Sequence, residues 1–333
     1  MKLTIGMCCY DDFDGVWFTI QSIKMYHPEC IDDIKFVVID GNPDQPHGQA
    51  CERLIDKLTN KHGKNGLYVK NVTWASTASR DYIFQFAETP YVLCVDSHVM
   101  IQPGAIKKLI DYYDSNPGCE DLLQGPLIDD DHQPFANHML PAWEFNMYGK
   151  WINETTYHNK TEPYEVPMMG LGLFSSTKKS WLGFNKLFKG FGGEEGYIHR
   201  KYKKAGHKTL ILPWLKWLHR FDRPAGVKYT NEYVDRIKNY FTGWAELGDN
   251  PQEIIDYFST ANTNPGQERE AISVEILKNM QRECAEENAK IESQTNNIKN
   301  IDPLPSETEK ELKQHIRRLE EKIEAMSKAI PRT

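Results

Sequence analysis

The sequence of 333 residues lacks the features of a membrane-spanning, secreted or disulfide-stabilised protein. No apolar run approaches the roughly 20 residues that a membrane-spanning helix needs. The N-terminus, MKLTIGMCCYDD, has one lysine and no uninterrupted apolar stretch, so it predicts a first strand and no signal peptide. The seven cysteines are scattered without a C-x-x-C pair, which favours free thiols in a reducing compartment over a disulfide or zinc framework.

Charge is distributed unevenly along the chain. The net charge is −7, yet residues 161–230 contain thirteen lysines and arginines against five aspartates and glutamates. A basic segment in an acidic protein indicates an anionic ligand bound locally. The alternative is a solvated basic helix face, which fits HRKYKKAGHK (199–208) equally well.

The first half of the chain alternates short, β-branched apolar runs with helical patterns. This alternation, with nearly continuous apolar strands, predicts an α/β fold with a mostly parallel, Rossmann-like sheet flanked by helices. In such sheets ligands bind beyond the carboxyl ends of the strands. The predicted strands are 2–10, 33–40, 66–74 and 90–96, and the predicted helices are 15–26, 48–59, 77–87 and 103–114.

The second half is less regular, and it supplies the predicted domain boundaries. Residues 120–168 predict loops and short elements that cover the site, and 208–213 and MMGLGLFSS (168–176) predict later strands. A heptad of apolar residues near the C-terminus predicts a short coiled coil and self-association, or a single helix packed back on the main domain. The predicted parts are a main domain (1–228), a helical extension (229–292) with helices over 228–260 and from the 259–268 linker to about 291, a linker (293–307) and the coiled-coil helix (308–331).

Polar residues interrupt the apolar run VLCVDSHVMI (92–101). Asp96 and His98 follow a buried strand, where a carboxylate and an imidazole are costly to bury. In an extended segment residues i and i+2 face the same way, so both side chains can reach one cation. Their oxygen and nitrogen ligands suit Mn²⁺ or another divalent first-row ion. The alternative is a helix cap or an ordinary hydrogen bond.

Three further features could contribute to the same site. Asp40 ends the strand FVVID, where an acid suits a ribose hydroxyl or a base N–H, although a turn acid is the alternative. Glu194 and Glu195 follow a double glycine, which fits a general base or an acceptor-orienting group as well as a helix start. His219, beside Arg220 and Arg223, is a candidate third metal ligand with arginines for a diphosphate, or a buried core histidine.

Taken in order, these motifs resemble the GT-A-fold, nucleotide-sugar-dependent glycosyltransferases. The nearest patterns are the polypeptide N-acetylgalactosaminyltransferases and the cytoplasmic hydroxyproline N-acetylglucosaminyltransferases of the family 2-like superfamily, and the resemblance spans residues 2–225. The family's D-x-H metal motif corresponds to Asp96-Ser97-His98, and its W-G-G-E segment corresponds to Phe191-Gly192-Gly193-Glu194. Its late metal histidine corresponds to His219, and MMGLGLFSS echoes its small-residue strand.

The resemblance implies a UDP-sugar donor and a bound Mn²⁺ or Mg²⁺. Its metal ligands would be Asp96, His98 and His219, and Glu194 or Glu195 would orient the acceptor or the sugar. It implies retention of anomeric configuration, and inversion with one of these glutamates as base stays open. The expected nucleotide-binding residues are Asp40, which would grip uridine, together with Tyr10, Arg80, Ser97, Arg220 and Arg223.

The sequence departs from the family pattern in ways that bear on substrate and location. Phe191 replaces tryptophan, which alters the sugar or acceptor wall, and Asp222 stands where arginine is expected. We see no membrane anchor, stem or lectin domain, so we expect a soluble cytoplasmic enzyme, in the host cytoplasm if the protein is viral. The acceptor is predicted to be a glycan, a protein or, for a phage-type enzyme, hydroxymethylated DNA, because Trp214 and Trp217 lie within the basic segment.

Two other function classes would require different residues. A non-catalytic nucleotide-binding or scaffolding protein would be favoured by loss of a metal ligand, and all three candidates are present. A nucleotidyltransferase would need a glycine-rich phosphate loop near the first strand, where MCCYDDFDG stands.

Overall fold

The first half of the chain confirms the predicted alternation of strands and helices. The computed structural model describes residues 1–62, 65–223, 226–229 and 231–299, and of residues 60–62 and 294–299 it describes the backbone alone. The elements of this half are β1 (Leu3–Cys9), α1 (Phe13–Tyr26), β2 (Ile34–Asp40), α2 (Pro46–His62), β3 (Gly66–Lys70), α3 (Asp81–Phe86), β4 (Tyr91–Val95), β5 (Val99–Ile101) and α4 (Ala105–Ser115), with 3₁₀ turns at Pro28–Asp33 and Thr77–Arg80.

The second half consists of short strands followed by helices, as predicted for 120–168 and 228–260. Its strands are β6 (Leu122–Gln124), β7 (Leu127–Ile128), β8 (Pro134–Ala136), β9 (His138–Glu144), β10 (Met147–Ile152), β11 (Tyr164–Glu165), β12 (Leu173–Thr177), β13 (Thr209–Ile211) and β14 (Trp217–His219). Its helices are α5 (Glu194–Lys204), α6 (Tyr233–Leu247), α7 (Gln252–Ser259) and α8 (Val274–Lys299), with a 3₁₀ turn at Thr155–Tyr157.

The main sheet has eight strands in the order β11-β13-β6-β12-β4-β1-β2-β3. Strands β4, β1, β2 and β3 run parallel, as do β6 and β13, whereas β12 is antiparallel to both β4 and β6. The predicted mostly parallel sheet flanked by helices is confirmed, with two antiparallel strands, β12 at its centre and β11 at one edge. Because β12 runs against β4, the residues that precede it lie beside the carboxyl end of β4.

Both faces of the sheet are buried, which explains the continuous apolar strands. In β2, Phe36 and Val38 pack into one apolar cluster, while Val37 and Ile39 pack into the cluster on the opposite face. Each such side chain is 2% exposed or less, and full burial of one contributes about 1.5–3 kcal/mol. The sheet is therefore a rigid support for the loops at its edge.

A second sheet, in the order β5-β14-β7-β8, crosses the carboxyl end of β4. Its strands β5 and β14 pair antiparallel, with Val99 opposite His219. This pairing brings His98, the residue before β5, close to His219, the last residue of β14. A separate hairpin pairs β9 with β10.

Three predicted boundaries are wrong. The strand predicted to reach 74 ends at Lys70, because the Asn71 side chain bonds to the backbone of Trp74 and forms a turn. The strand predicted over 168–176 begins only at Leu173, since the Met169 and Leu171 amides donate to side chains of α5. The last helix continues to Lys299, through the first residues of the predicted linker.

The chain divides into two units, Met1–Ala285 and Glu286–Thr333. The described part of the second unit, 286–299, is helical. The predicted coiled coil over 308–331 and the self-association assigned to it lie outside the described residues and stay predictions. Among the described helices, none combines the length and the apolar character needed to cross a membrane.

Candidate active site

The segment from Asp96 to His98 bridges the two sheets and is held from both sides. The Asp96 amide donates to the Gly172 carbonyl at 2.9 Å, and the Val99 amide donates to the Thr19 hydroxyl of α1 at 3.0 Å. The same hydroxyl lies 3.0 Å from the carbonyl oxygen of Ser97. A segment fixed at three backbone positions presents its side chains in a defined direction.

Asp96, His98 and His219 converge at one point. The Nε2 atoms of His98 and His219 are 3.1 Å apart, and Asp96 Oδ2 lies 3.4 Å from His219 Nε2. One ligand atom from each residue lies within 4.8 Å of the other two. The structure thus brings together the three residues that the sequence proposed as metal ligands, and one oxygen with two nitrogens can hold a divalent first-row cation.

Arg80 is the charge partner of Asp96. Its guanidinium is buried, with Nη2 2.6 Å from Asp96 Oδ1 and Nη1 3.5 Å from Glu194 Oε1. Burial alone would raise the pKa of Asp96, but the charge of Arg80 and the hydrogen bond from His219 outweigh it and hold the pKa well below its usual range. Asp96 is therefore ionised, with Oδ2 turned toward the histidines.

Asp12, which the sequence interpretation missed, contacts His98 directly. Its Oδ2 accepts hydrogen bonds from His98 Nδ1 at 2.9 Å and from the Ser97 hydroxyl at 2.6 Å. Its Oδ1 accepts the Gly15 amide at 3.2 Å, which caps α1. Burial would raise the pKa of Asp12, but the hydrogen bonds from His98 and Ser97 lower it well below its usual range.

Arg220 and Arg223 both reach the site. Arg220 Nη2 lies 3.3 Å from Asp12 Oδ1 and is largely exposed, whereas Arg223 Nη2 donates to His98 Nε2 at 2.6 Å. The two expected phosphate-binding arginines therefore lie beside the metal-ligand candidates. The guanidinium of Arg223 faces the nitrogen that a cation would use.

The double glycine brings Glu194 and Glu195 to the start of α5. Gly193 has a φ of +97°, and a Cβ atom there would lie 2.7 Å from Asn239, so only glycine fits this turn. Glu194 is buried, and its Oε2 has no hydrogen-bond partner among the described residues. Glu195 Oε1 accepts the Leu171 amide at 3.0 Å. Burial, assisted by the charge of Glu194, raises the pKa of Glu195 to about 7.

Two of the expected nucleotide contacts, Asp40 and Ser97, bond to neighbouring groups of the protein. Asp40 is fully buried, and its oxygens accept the Asn42 amide and the Tyr68 hydroxyl, each at 2.8 Å. Ser97 is 3% exposed and donates to Asp12. Neither side chain is open to a nucleotide in this structure, because each already satisfies a neighbouring group. Tyr10, at the carboxyl edge of the sheet, is exposed.

The two tryptophans of the basic segment pack against other parts of the protein. Trp217 is 2% exposed and donates to the Gly125 carbonyl, and Trp214 packs against Tyr112 of α4. Several of the cations pair with carboxylates of the same chain. These pairs are Lys186–Asp81, Arg200–Asp249, Lys201–Glu246, Lys204–Asp249 and Lys208–Glu165.

Comparison with known proteins identifies the family to which this chain belongs. The model of glycosyl transferase family 2 matches residues 4–181, which span β1 to the end of β12 and include Asp96 and His98. The chain therefore belongs to glycosyl transferase family 2. Among curated proteins, no sequence match is found.

Solved structures share the fold at low sequence identity. The structure of GalNAc-T7 with UDP, GalNAc and Mn²⁺ has a TM-score of 0.58 and 17% identity, over 85% of this chain and 55% of that chain. The chain thus spans about half the length of that protein, and the likeness shows the GT-A fold. Two structures of S. aureus TarS, a 1–349 form alone and with UDP-GlcNAc, have TM-scores of 0.48. The first is 12% identical over 91% of this chain and 76% of that one, and the second is 13% identical over 78% and 71%.

Proposed function

We propose that the chain transfers a sugar from a UDP-sugar to an acceptor hydroxyl and uses a divalent cation, Mn²⁺ or Mg²⁺, to do so. The observation that carries this proposal is the convergence of Asp96 Oδ2, His98 Nε2 and His219 Nε2. The donor set can hold such an ion, because the ionised carboxylate is a ligand type that Mn²⁺ and Mg²⁺ prefer and imidazole nitrogens bind divalent first-row ions. The GalNAc-T7 structure holds UDP and Mn²⁺, which supports the same pair here.

Asp96, His98 and His219 would hold the cation. When bound, it supplies positive charge beside the leaving UDP as the anomeric bond breaks. Arg80 keeps Asp96 ionised, and Arg223 and Arg220 can each donate to a diphosphate oxygen. To reach a diphosphate oxygen, Arg223 would have to give up its hydrogen bond to His98 Nε2. The same side chain would therefore bond to this nitrogen in the free enzyme and to a phosphate oxygen in the complex.

We propose Glu195 as the group that meets the acceptor hydroxyl, with Glu194 held behind it by Arg80. A carboxyl with a pKa of about 7 can both accept and return a proton near neutral pH. Retention is the proposed stereochemical outcome because the motif order resembles retaining enzymes. The raised pKa of Glu195 is the specific observation in favour of inversion, in which this residue would be the base.

For the acceptor we propose a hydroxyl of a glycan or a protein. DNA binding would need exposed cations along the strand and aromatic rings free to stack on bases. Trp217 is buried, so its ring is not free to stack on a base, and at least five of the cations in the basic segment pair with carboxylates of the same chain. The burial of this ring therefore favours a glycan or a protein over modified DNA.

The experiment that tests the proposal measures UDP release from a panel of UDP-sugars, with Mn²⁺ or with chelator. We expect one donor to be turned over with Mn²⁺ and not with chelator, and Asp96→Ala to abolish release. Asp130→Ala is the matched control, since this exposed aspartate lies on the loop between β7 and β8. Turnover in chelator, or near-normal turnover by Asp96→Ala, would reject the metal-dependent mechanism, and ¹H NMR of the product would assign the anomeric configuration.

A further inference from the structure

We infer that Asp12 is a positioning residue, which holds the His98 ring so that Nε2 faces Asp96 and His219. The inference rests on the proposed metal site. Asp12 Oδ2 lies 2.9 Å from His98 Nδ1 on the side of the ring opposite to Nε2. A carboxylate behind a metal-binding imidazole fixes the orientation of the ring and strengthens its remaining lone pair.

The hydrogen bonds around the ring identify its tautomer. A guanidinium has no acceptor atom, so Arg223 Nη2, 2.6 Å from His98 Nε2, can only donate to that nitrogen. His98 Nε2 therefore has no proton. The proton lies on Nδ1, from which it is donated to the carboxylate of Asp12. In this tautomer the free lone pair faces the position that the proposed cation would take.

Asp12 is itself held in place by α1. It is the N-cap of this helix, so its carboxylate is tied to the Gly15 amide at the same time as to His98. One turn further along, Thr19 binds the backbone of Val99. The first turns of α1 thus fix both the side chain of His98 and the backbone that follows it, and the position of one depends on the other.

His219 lacks an equivalent support. Its Nδ1 atom is buried and has no hydrogen-bond partner among the described residues. The two imidazoles therefore differ, because only His98 has a carboxylate behind it.

Loss of such an outer partner typically weakens metal binding by about 10- to 100-fold. We expect a loss of this size when the Asp12 carboxylate is replaced by a shorter side chain.

The test compares Asp12→Ser with Asp12→Asn in the full-length chain. Serine and asparagine both cap helices well, so α1 stays capped in either variant. Asparagine still offers an oxygen to His98 Nδ1, whereas serine is too short to reach it. Asp14→Ser is the matched control, because Asp14 is exposed on the first turn of the same helix.

Two readouts are needed. The first, without metal, is the NMR signal of the His98 Nδ1 proton, assigned by its absence in His98→Gln. We expect slow exchange with water in wild type, Asp14→Ser and Asp12→Asn, and rapid exchange in Asp12→Ser. The second is the Mn²⁺ affinity measured by electron paramagnetic resonance, which we expect to fall roughly 10- to 100-fold in Asp12→Ser and less in Asp12→Asn.

The outcomes separate this inference from the proposed function. If Asp12→Ser keeps both the protected proton and the wild-type Mn²⁺ affinity, Asp12 does not position His98. If wild type binds no Mn²⁺, the metal-dependent function is rejected, and the proton signal still decides whether Asp12 holds the ring. An equal loss in Asp14→Ser would attribute the effect to α1 in general and overturn the inference.

Discussion

Two groups of side chains in the described part of the chain each bring three candidate metal ligands within 4.8 Å, and they differ in the protonation and hydrogen bonding of those ligands. One is the trio Asp96, His98 and His219; the other, the thiol cluster, is Cys9, Asp40 and Cys51. Each includes residues at the carboxyl ends of strands: Asp96 follows β4, and Cys9 ends β1 and is paired in register with Asp40 at the end of β2, whereas Cys51 lies in α2. The thiol cluster is buried, however, with each of its residues 7% exposed or less.

The difference lies in protonation and in free lone pairs. A thiol must lose its proton to bind a metal, but the hydrogen bond with Cys51 and burial raise the pKa of Cys9 well above its usual value. Asp40 has already committed its oxygens to Asn42 and Tyr68. In the trio, Arg80 keeps Asp96 ionised and Asp12 directs His98 Nε2 inward. Three suitable ligand types that lie close together are therefore not enough to form a metal site. The residues that contact them, here Arg80 and Asp12, set the charge and the direction of the ligands.

The largest effect is expected from removal of the charged ligand. Asp96→Ala removes the only carboxylate of the trio and leaves Arg80 without its closest partner. We expect kcat/KM to fall at least about a hundredfold, because the charge beside the leaving group supplies several kcal/mol. Calorimetric titration with Mn²⁺ checks that binding is lost with activity. Retention of tight Mn²⁺ binding would mean that the histidines suffice without the carboxylate.

Glu195→Gln comes next in expected size. If Glu195 accepts the acceptor proton, activity requires its carboxylate form, which increases as pH rises through about 7. Wild-type kcat/KM should then climb between pH 6 and 8, and the glutamine variant should lose this limb and fall about a hundredfold. The exposed Glu162→Gln is the control. An unchanged pH profile in Glu195→Gln would assign the ionisation to another group and remove the argument for inversion.

Gly15→Ala tests the close packing of α1 against Asp12 and the segment that carries His98. A Cβ atom at this position would lie 2.3 Å from Asp12 Oδ2 and 2.5 Å from the Ser97 carbonyl, so the helix has to move away. Overpacking of this kind costs about 1–3 kcal/mol of the free energy of unfolding. We expect urea denaturation to show a free energy of unfolding that is lower by about 1–3 kcal/mol. We also expect a roughly tenfold loss of Mn²⁺ affinity. Gly118→Ala, where nothing lies within 4 Å, should change neither quantity.

The sequence was sufficient to predict the sheet and its order of elements where apolar strands are buried on both faces. Strands β1, β2 and β4 agree with their predicted ranges, because continuous apolar runs have few alternative structures. It failed over 168–172, where the amides of Met169 and Leu171 bond to α5 and not to a strand. Such a choice depends on a partner that is distant in the chain.

The residues of the candidate site also divide into those that the sequence could indicate and those that it could not. Asp96, His98 and His219 could be proposed from residue type and from the order of their motifs, which resembles that of the D-x-H glycosyltransferases. Asp12 could not be singled out, because MCCYDDFDG offers three aspartates and each suits a helix start. Asp40 was proposed as a nucleoside contact, but its oxygens bond to Asn42 and Tyr68 inside the protein. The direction of a side chain at the end of a strand is set by neighbours that the local sequence does not reveal.

The smallest effect is expected from the thiol cluster, and it separates the two groups most cleanly. The double variant Cys9→Ala, Cys51→Ala removes both sulfur ligands, so a metal site there would lose its affinity entirely. Since the pKa of the buried Cys9 thiol is raised and a protonated thiol does not hold Mn²⁺, we expect the Mn²⁺ affinity and kcat/KM to stay within about twofold of wild type. The small cavities should lower the free energy of unfolding by about 1–2 kcal/mol. The measurement is the same Mn²⁺ titration that Asp96→Ala should abolish. If the cysteine variant lost Mn²⁺ binding and Asp96→Ala kept it, the thiol cluster would be the metal site and the trio would not. The protonation states assigned here to both groups would then be wrong.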